Sequence, residues 1–103
     1  MRSDIAVLGA GGFGLALAVM LDNMGHNVTV WSKFPDEIEQ IKKDGENKAK
    51  LPGVKIPESI KFSSEASCVK GMDVVIFGIP VVGVRAAAKE VSPYLESKTV
   101  VVN

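Results

Sequence analysis

The chain has 103 residues, 47% of them hydrophobic and 23% charged, with 12 Lys+Arg against 12 Asp+Glu. That length allows a single domain burying roughly 60–70% of its unfolded surface, and the balanced charge argues against a nucleic-acid or membrane-surface partner. The longest apolar stretch, Phe13 to Leu21, is too short to cross a bilayer, and one cysteine, Cys68, excludes an intrachain disulfide and a multi-cysteine metal site.

A reducing, cytoplasmic setting is therefore expected. Cys68 reads as a small core or surface thiol instead of a nucleophile, because the lone histidine, His26, offers no evident pairing.

In chain order, the apolar run Ile5 to Leu8 stops at glycine, as a buried strand does on meeting a tight turn, and predicts a strand over Asp4 to Leu8. Phe13, Ala16, Leu17, Met20, Leu21 and Met24 then recur at helical spacing, which predicts a helix from Gly12 to Met24 closed by Gly25. Leu15 and Val19 fall on a second apolar face, one that another domain or subunit would cover. "NVTVW", Asn27 to Trp31, is a β-branched second strand. Pro35 with Asp36 and Glu37 opens a second helix, with Ile38 and Ile41 inward and Gly45 at its end.

Glu46 to Ser59, with Pro52, Gly53 and Pro57, carries no evident helix or strand; such a long loop is either functional or a spacer. Ile60 to Phe62 predicts a short strand and Ser64 to Lys70 one or two helical turns. "DVVIFGIP", Asp73 to Pro80, is apolar without alternation, as in a parallel strand covered on both faces. Val84, Ala87, Ala88 and Val91 make a helical stripe ended by Ser92-Pro93, and Lys98 to Asn103 is a last strand. Alternation of β and α throughout predicts an α/β fold, a doubly wound parallel sheet of about five strands with helices on both faces.

Gly9, Gly11 and Gly14 form G-x-G-x-x-G between that first strand and first helix, inside a βαβ unit of about 30 residues. In such a unit the first glycine permits the tight turn, the second lets a pyrophosphate approach the backbone, and the third lets helix and strand pack closely. The pyrophosphate of a dinucleotide is expected at the helix start, on the amides of Gly12 and Phe13, with the Phe13 side chain in the core. At the end of the second strand, about 20 residues on, an acidic residue would select the ribose 2′-hydroxyl of NAD. The chain reads Trp31-Ser32-Lys33-Phe34 there, and a hydroxyl followed by an ammonium suits the 2′-phosphate of NADP, with NAD the alternative. The competing reading of Lys33 is a plain surface lysine. Pro80 either shapes the wall near the nicotinamide or simply breaks its strand.

The runs "IAVLGAGGFGLALAVMLDNMGHNVTVWSK", "ENKAKLPGVKIPESIKFSSE" and "DVVIFGIP" together resemble the N-terminal domain of bacterial NAD(P)-dependent glycerol-3-phosphate dehydrogenase, over essentially the whole chain. The glycine loop is common to many dehydrogenases, whereas Asn47, Leu51-Pro52-Gly53 and Ile56-Pro57 are more particular to this family. The resemblance implies cofactor contacts at Gly12, Phe13 and Lys33. It also implies Ser at Gly12, Trp or Tyr at Phe13, Thr at Leu15 and an aromatic at Lys50, and here the chain departs from the family.

The resemblance further implies reversible hydride transfer between NAD(P)H and dihydroxyacetone phosphate, giving sn-glycerol 3-phosphate for phospholipid synthesis. Its substrate-binding lysines belong to a Thr-Lys-Gly segment and a helical domain that this sequence does not include. Residues 1–103 are thus expected to be a dinucleotide-binding domain that holds cofactor without turning over substrate, with a homodimer as one arrangement open to the parent enzyme. Arg85, Lys89 and Asp73 read as solvated charges, with no catalytic or metal-binding residue among them. A non-catalytic dinucleotide sensor, or the first domain of another reductase such as ketopantoate reductase or 6-phosphogluconate dehydrogenase, is the alternative reading.

Overall fold

A computed structural model describes residues 2–79 and 81–102; Pro80 and the terminal residues Met1 and Asn103 lie outside the described residues. Five strands, β1 (Asp4–Leu8), β2 (Asn27–Trp31), β3 (Lys61–Ser63), β4 (Val74–Phe77) and β5 (Val100–Val102), form one sheet in the order β3-β2-β1-β4-β5. Every pairing is parallel. Three helices connect them: α1 (Gly12–Asn23), α2 (Pro35–Asp44) and α3 (Val81–Val91). Single 3-10 turns lie at Ala66–Val69 and Ser92–Tyr94. The α/β, doubly wound reading of the sequence is the observed architecture.

Successive side chains of a strand point to opposite faces, and β1 shows why it reads as continuously apolar. Ile5 and Val7 join Val28, Val30, Leu15, Ala18 and Ile41 in a core under α1 and α2. Ala6 and Leu8 join Val75, Ala87 and Val91 in a second core under α3. With both faces covered, no polar residue is tolerated between them. Trp31 and the half-buried Cys68 belong to this second core, and burial pushes the Cys68 thiol above its ordinary value.

Pro35 stands in the first turn of α2, Asp36 and Glu37 face the positive end of its dipole, and Lys42 and Lys43 the negative end. Gly45, at φ 72°, closes it with its N–H on the Ile41 carbonyl at 2.8 Å.

The face of α1 differs from the expectation. Leu15 is fully buried and Val19 packs on the core, while Phe13, Met20 and Met24 are exposed, Phe13 at 71%. Apolar residues surround this helix, so periodicity alone does not choose the inward face, and the close approach of Gly14 to the sheet turns Leu15 and Ala18 inward instead. Phe13 is therefore not a core residue, and the surface that α1 leaves open is the Phe13, Met20 and Met24 side.

Element ends also shift. The first helix stops at Asn23 with Met24 as its cap; the third strand is shifted by one residue from Ile60–Phe62 to Lys61–Ser63, and β4 and β5 pair over Val74–Phe77 and Val100–Val102, within the runs expected over Asp73–Pro80 and Lys98–Asn103. Ile60 is buried, but its N–H bonds the Pro57 carbonyl at 3.2 Å instead of entering the ladder.

Among the described residues, no helix is long and apolar enough to cross a membrane, and no group of His, Cys, Asp or Glu side chains could hold a metal ion.

Candidate functional site

The carboxyl ends of the central strands meet at the glycine turn. Leu8 pairs with Trp31 on one side and Phe77 on the other. Beyond it, the N–H of Gly9 bonds the Trp31 carbonyl at 2.7 Å, and the N–H of Gly78 bonds the Leu8 carbonyl at 2.9 Å. The chain leaves this ladder by a turn with Gly9 at φ 121°, a conformation that favours glycine.

The glycines divide into two kinds. A Cβ on Gly14 would run into the Gly9 carbonyl, one on Gly9 would meet the Gly78 carbonyl at 2.8 Å, and one on Gly78 the Cα of Gly14 at 2.9 Å. These three let α1 close onto β1 and β4. A Cβ on Gly12 would meet the Lys50 carbonyl at 2.6 Å, so Gly12 admits the long loop. Gly11 is different, because a Cβ there would touch only the Lys50 Cδ at 3.8 Å. Space for a ligand, not protein packing, surrounds that position.

Two adjoining recesses share Gly11, Lys50, Gly78 and Ile79. The first, ≈ 320 Å³, extends past Trp31, Ser32, Lys33 and Glu37 to the α3 residues Ala87 and Glu90. The second lies over Gly12 and Phe13. The first N–H groups of α1 have no intrahelical acceptor, and Gly11 as N-cap supplies no side chain to cap them. An extended anion crossing Gly11 from one recess to the other would meet those amides and the positive end of the dipole. The open backbone at Gly11 thus fits a pyrophosphate.

Phe13 lines the second recess with an exposed side chain, so the ring as well as the amide is available there. Ser32 is buried at the first recess: its hydroxyl donates to Glu37 Oε1 at 2.9 Å and accepts from the Phe34 N–H at 3.2 Å. Its hydroxyl proton points to the Glu37 carboxylate here. Lys33 is exposed on the rim and makes no ion pair among the described residues. The remaining sequence candidate, Pro80, is outside the described residues.

Three further residues build the site, and the sequence pointed to two of them, Asn47 and Lys50, only through the family resemblance. Buried Asn47 donates from Nδ2 to the Ala10 carbonyl at 2.9 Å, while its own Oδ1 accepts from the Lys50 N–H at 3.3 Å. This anchors the loop to the glycine turn; in the sequence Asn47 stands out only as a mark of the family, with no role attached. Lys50 lies against Gly11 and reaches Glu37, its Nζ at 3.3 Å from Oε2. Glu37 was assigned only to a helix start, yet it lines the first recess.

A parallel sheet whose order reverses beside β1, with a glycine turn opening α1 at that point, defines a Rossmann-type domain. A family model described as NAD-dependent glycerol-3-phosphate dehydrogenase N-terminus matches residues 4–103. The chain belongs to that family.

It is 42% identical over 102 residues to a glycerol-3-phosphate dehydrogenase of Lactobacillus delbrueckii subsp. bulgaricus named for NAD(P)+, covering 98% of this chain and 30% of that relative. The crystal structure of glycerol-3-phosphate dehydrogenase from Coxiella burnetii superposes with a TM-score of 0.88 at 28% identity, over 97% of this chain and 31% of that one. A ketopantoate reductase from Ralstonia eutropha follows at 0.78 and 26%, over 97% and 33%. The chain thus spans about a third of the length of these relatives.

Proposed function

We propose that this chain is the cofactor-holding part of an oxidoreductase that moves hydride between NAD(P)H and dihydroxyacetone phosphate or sn-glycerol 3-phosphate, in the supply of phospholipid precursor. One observation carries the binding role: Gly11 presents unobstructed backbone between two recesses at the start of α1. The substrate assignment rests on family membership and on the name of the 42% identical relative. The Coxiella burnetii glycerol-3-phosphate dehydrogenase superposes more closely than the Ralstonia eutropha ketopantoate reductase, which supports the same choice.

In this reading the amides of Gly12 and Phe13 hold the pyrophosphate, and Gly9 and Gly14 keep strand and helix close enough to place them. Lys33 on the rim takes the 2′-phosphate, which favours NADP over NAD. The nicotinamide supplies the hydride when bound. The chain's own residues bind and orient; the groups that hold the phosphorylated substrate and deliver its proton belong to the remainder of the enzyme, a cytoplasmic protein, open to a homodimeric arrangement, that acts on a small molecule without nucleic acid or membrane.

Titrating NADPH and NADH against this chain, followed by nicotinamide fluorescence, tests the reading. NADPH is expected to bind tighter, and Lys33→Ala or Lys33→Asp to weaken NADPH while sparing NADH. Failure of both dinucleotides to bind overturns the binding role, and a ratio unmoved by Lys33→Asp overturns the 2′-phosphate assignment. Oxidation of NADPH by the chain alone on adding dihydroxyacetone phosphate would overturn the division of labour.

A further inference from the structure

We propose that Glu37 biases this cleft toward NAD against the pull of Lys33, taking the adenosine-ribose hydroxyls on a carboxylate whose charge Lys50 holds in check. The inference rests on the dinucleotide reading above and deepens it. Glu37 stands in the first turn of α2, just past the end of β2, and its side chain remains 23% exposed at the recess that also contains Gly9 and Gly11. Neither of its acidic neighbours in the helix, Asp36 and Glu39, lines that recess.

Its two oxygens have different partners. Oε1 accepts from Ser32 and Oε2 pairs with Lys50. An ionised carboxylate has about four acceptor sites, so two bonds leave capacity for a hydroxyl donor. The buried Ser32 hydroxyl fixes one oxygen in place, and the carboxylate is presented at the edge of the cleft instead of swinging into solvent. This is an acid serving the end of β2 from the adjoining helix, where the strand itself ends in Trp31-Ser32-Lys33 without one.

The charges around it set the outcome. A ribose 2′-hydroxyl can donate to Glu37, whereas a 2′-phosphate placed there meets a like charge. Lys50 neutralises Glu37 from one side and Lys33 stands on the rim, while Glu90 faces the same recess from α3. Two cations and two carboxylates therefore border the cleft. Lys33 pulls toward NADP, Glu37 toward NAD, and Lys50, the residue standing where the family resemblance implies an aromatic, moderates Glu37.

NADH and NADPH titrated in parallel at low salt against this chain, Glu37→Gln and Lys50→Met test the assignment. The Gln variant keeps the shape and an acceptor for Ser32 while removing the charge, and is expected to shift the NADPH:NADH affinity ratio toward NADPH by at least about tenfold. Lys50→Met is expected to shift it several-fold toward NADH. Both dinucleotides binding with a ratio unchanged by Glu37→Gln overturns the role of Glu37 and leaves the dinucleotide reading standing; neither binding to the parent chain overturns that reading itself. Urea unfolding checks that each variant is folded. Should Glu37→Gln not fold, Lys50→Met decides, and a ratio it leaves unmoved overturns the proposal.

Discussion

The Asn47 carboxamide reaches across from the long loop to the Ala10 carbonyl, in the middle of the glycine turn, at 2.9 Å. Both residues are buried, so water does not replace the bond if it is lost. Asn47→Ala is expected to cost about 1–3 kcal/mol in urea unfolding, the penalty of an unsatisfied buried carbonyl. Because the same side chain holds Lys50 against Gly11, dinucleotide affinity is expected to fall too. A variant with unchanged stability would show that the loop is held by other contacts.

Gly11 and Gly14 are both glycines of one motif, and alanine separates their tasks. Gly14→Ala forces a methyl against the Gly9 carbonyl, and backbone cannot yield as a flexible side chain does. A loss of about 1–3 kcal/mol or more is expected. Gly11, at φ −77°, accepts alanine without strain or collision. Gly11→Ala should stay within about 0.5 kcal/mol of the parent in stability, yet lose dinucleotide binding, measured by the same fluorescence titration. Retained binding in a folded Gly11→Ala chain would remove Gly11 from the site.

Cys68 gives a pH dependence with a defined sign. Burial raises its folded pKa, so the native state retains the thiol proton where the unfolded chain has released it. The unfolded state then binds fewer protons, and stability falls as pH rises. The contribution is fully present below the unfolded value of about 8.5 and disappears as pH climbs toward the higher folded value. Thermal melts at pH 7 and at alkaline pH are expected to show a smaller alkaline loss for Cys68→Ser than for the parent. Equal losses would assign the alkaline instability to other groups. The same shift predicts slow reaction of the folded chain with a thiol reagent at neutral pH.

Much of this was legible in the amino-acid order. Ile5 to Leu8 ending in glycine, and Val74 to Phe77 without polar interruption, read as buried parallel strands, and the turn chemistry at Gly9, Gly25 and Gly45 marked where elements stop. The face of α1 was not legible, since Phe13, Leu15, Leu17, Val19 and Met20 are all apolar and only the contact of Gly14 with Gly9 orients them. Nor was the charge of the cleft. Glu37 looked like a dipole-favoured acid at a helix start, which it also is; the meeting with Ser32 arises from the bend between β2 and α2, and the meeting with Lys50 from a loop anchored by Asn47. Pairings of that kind depend on folding and leave no local pattern.

The pairing of Leu8 with both Trp31 and Phe77 has a thermodynamic consequence. The walls of the cleft come from separate strands, helices and loops, so no one segment of the chain forms the site, and a ligand that occupies it engages the folded state. Its binding free energy is then added to the cooperative stability of the domain as RT ln(1 + [L]/Kd), about 2.7 kcal/mol at a hundredfold excess over Kd. Cofactor occupancy would act as a folding staple for β1, β2 and β4 together, and its loss would loosen the sheet as a unit.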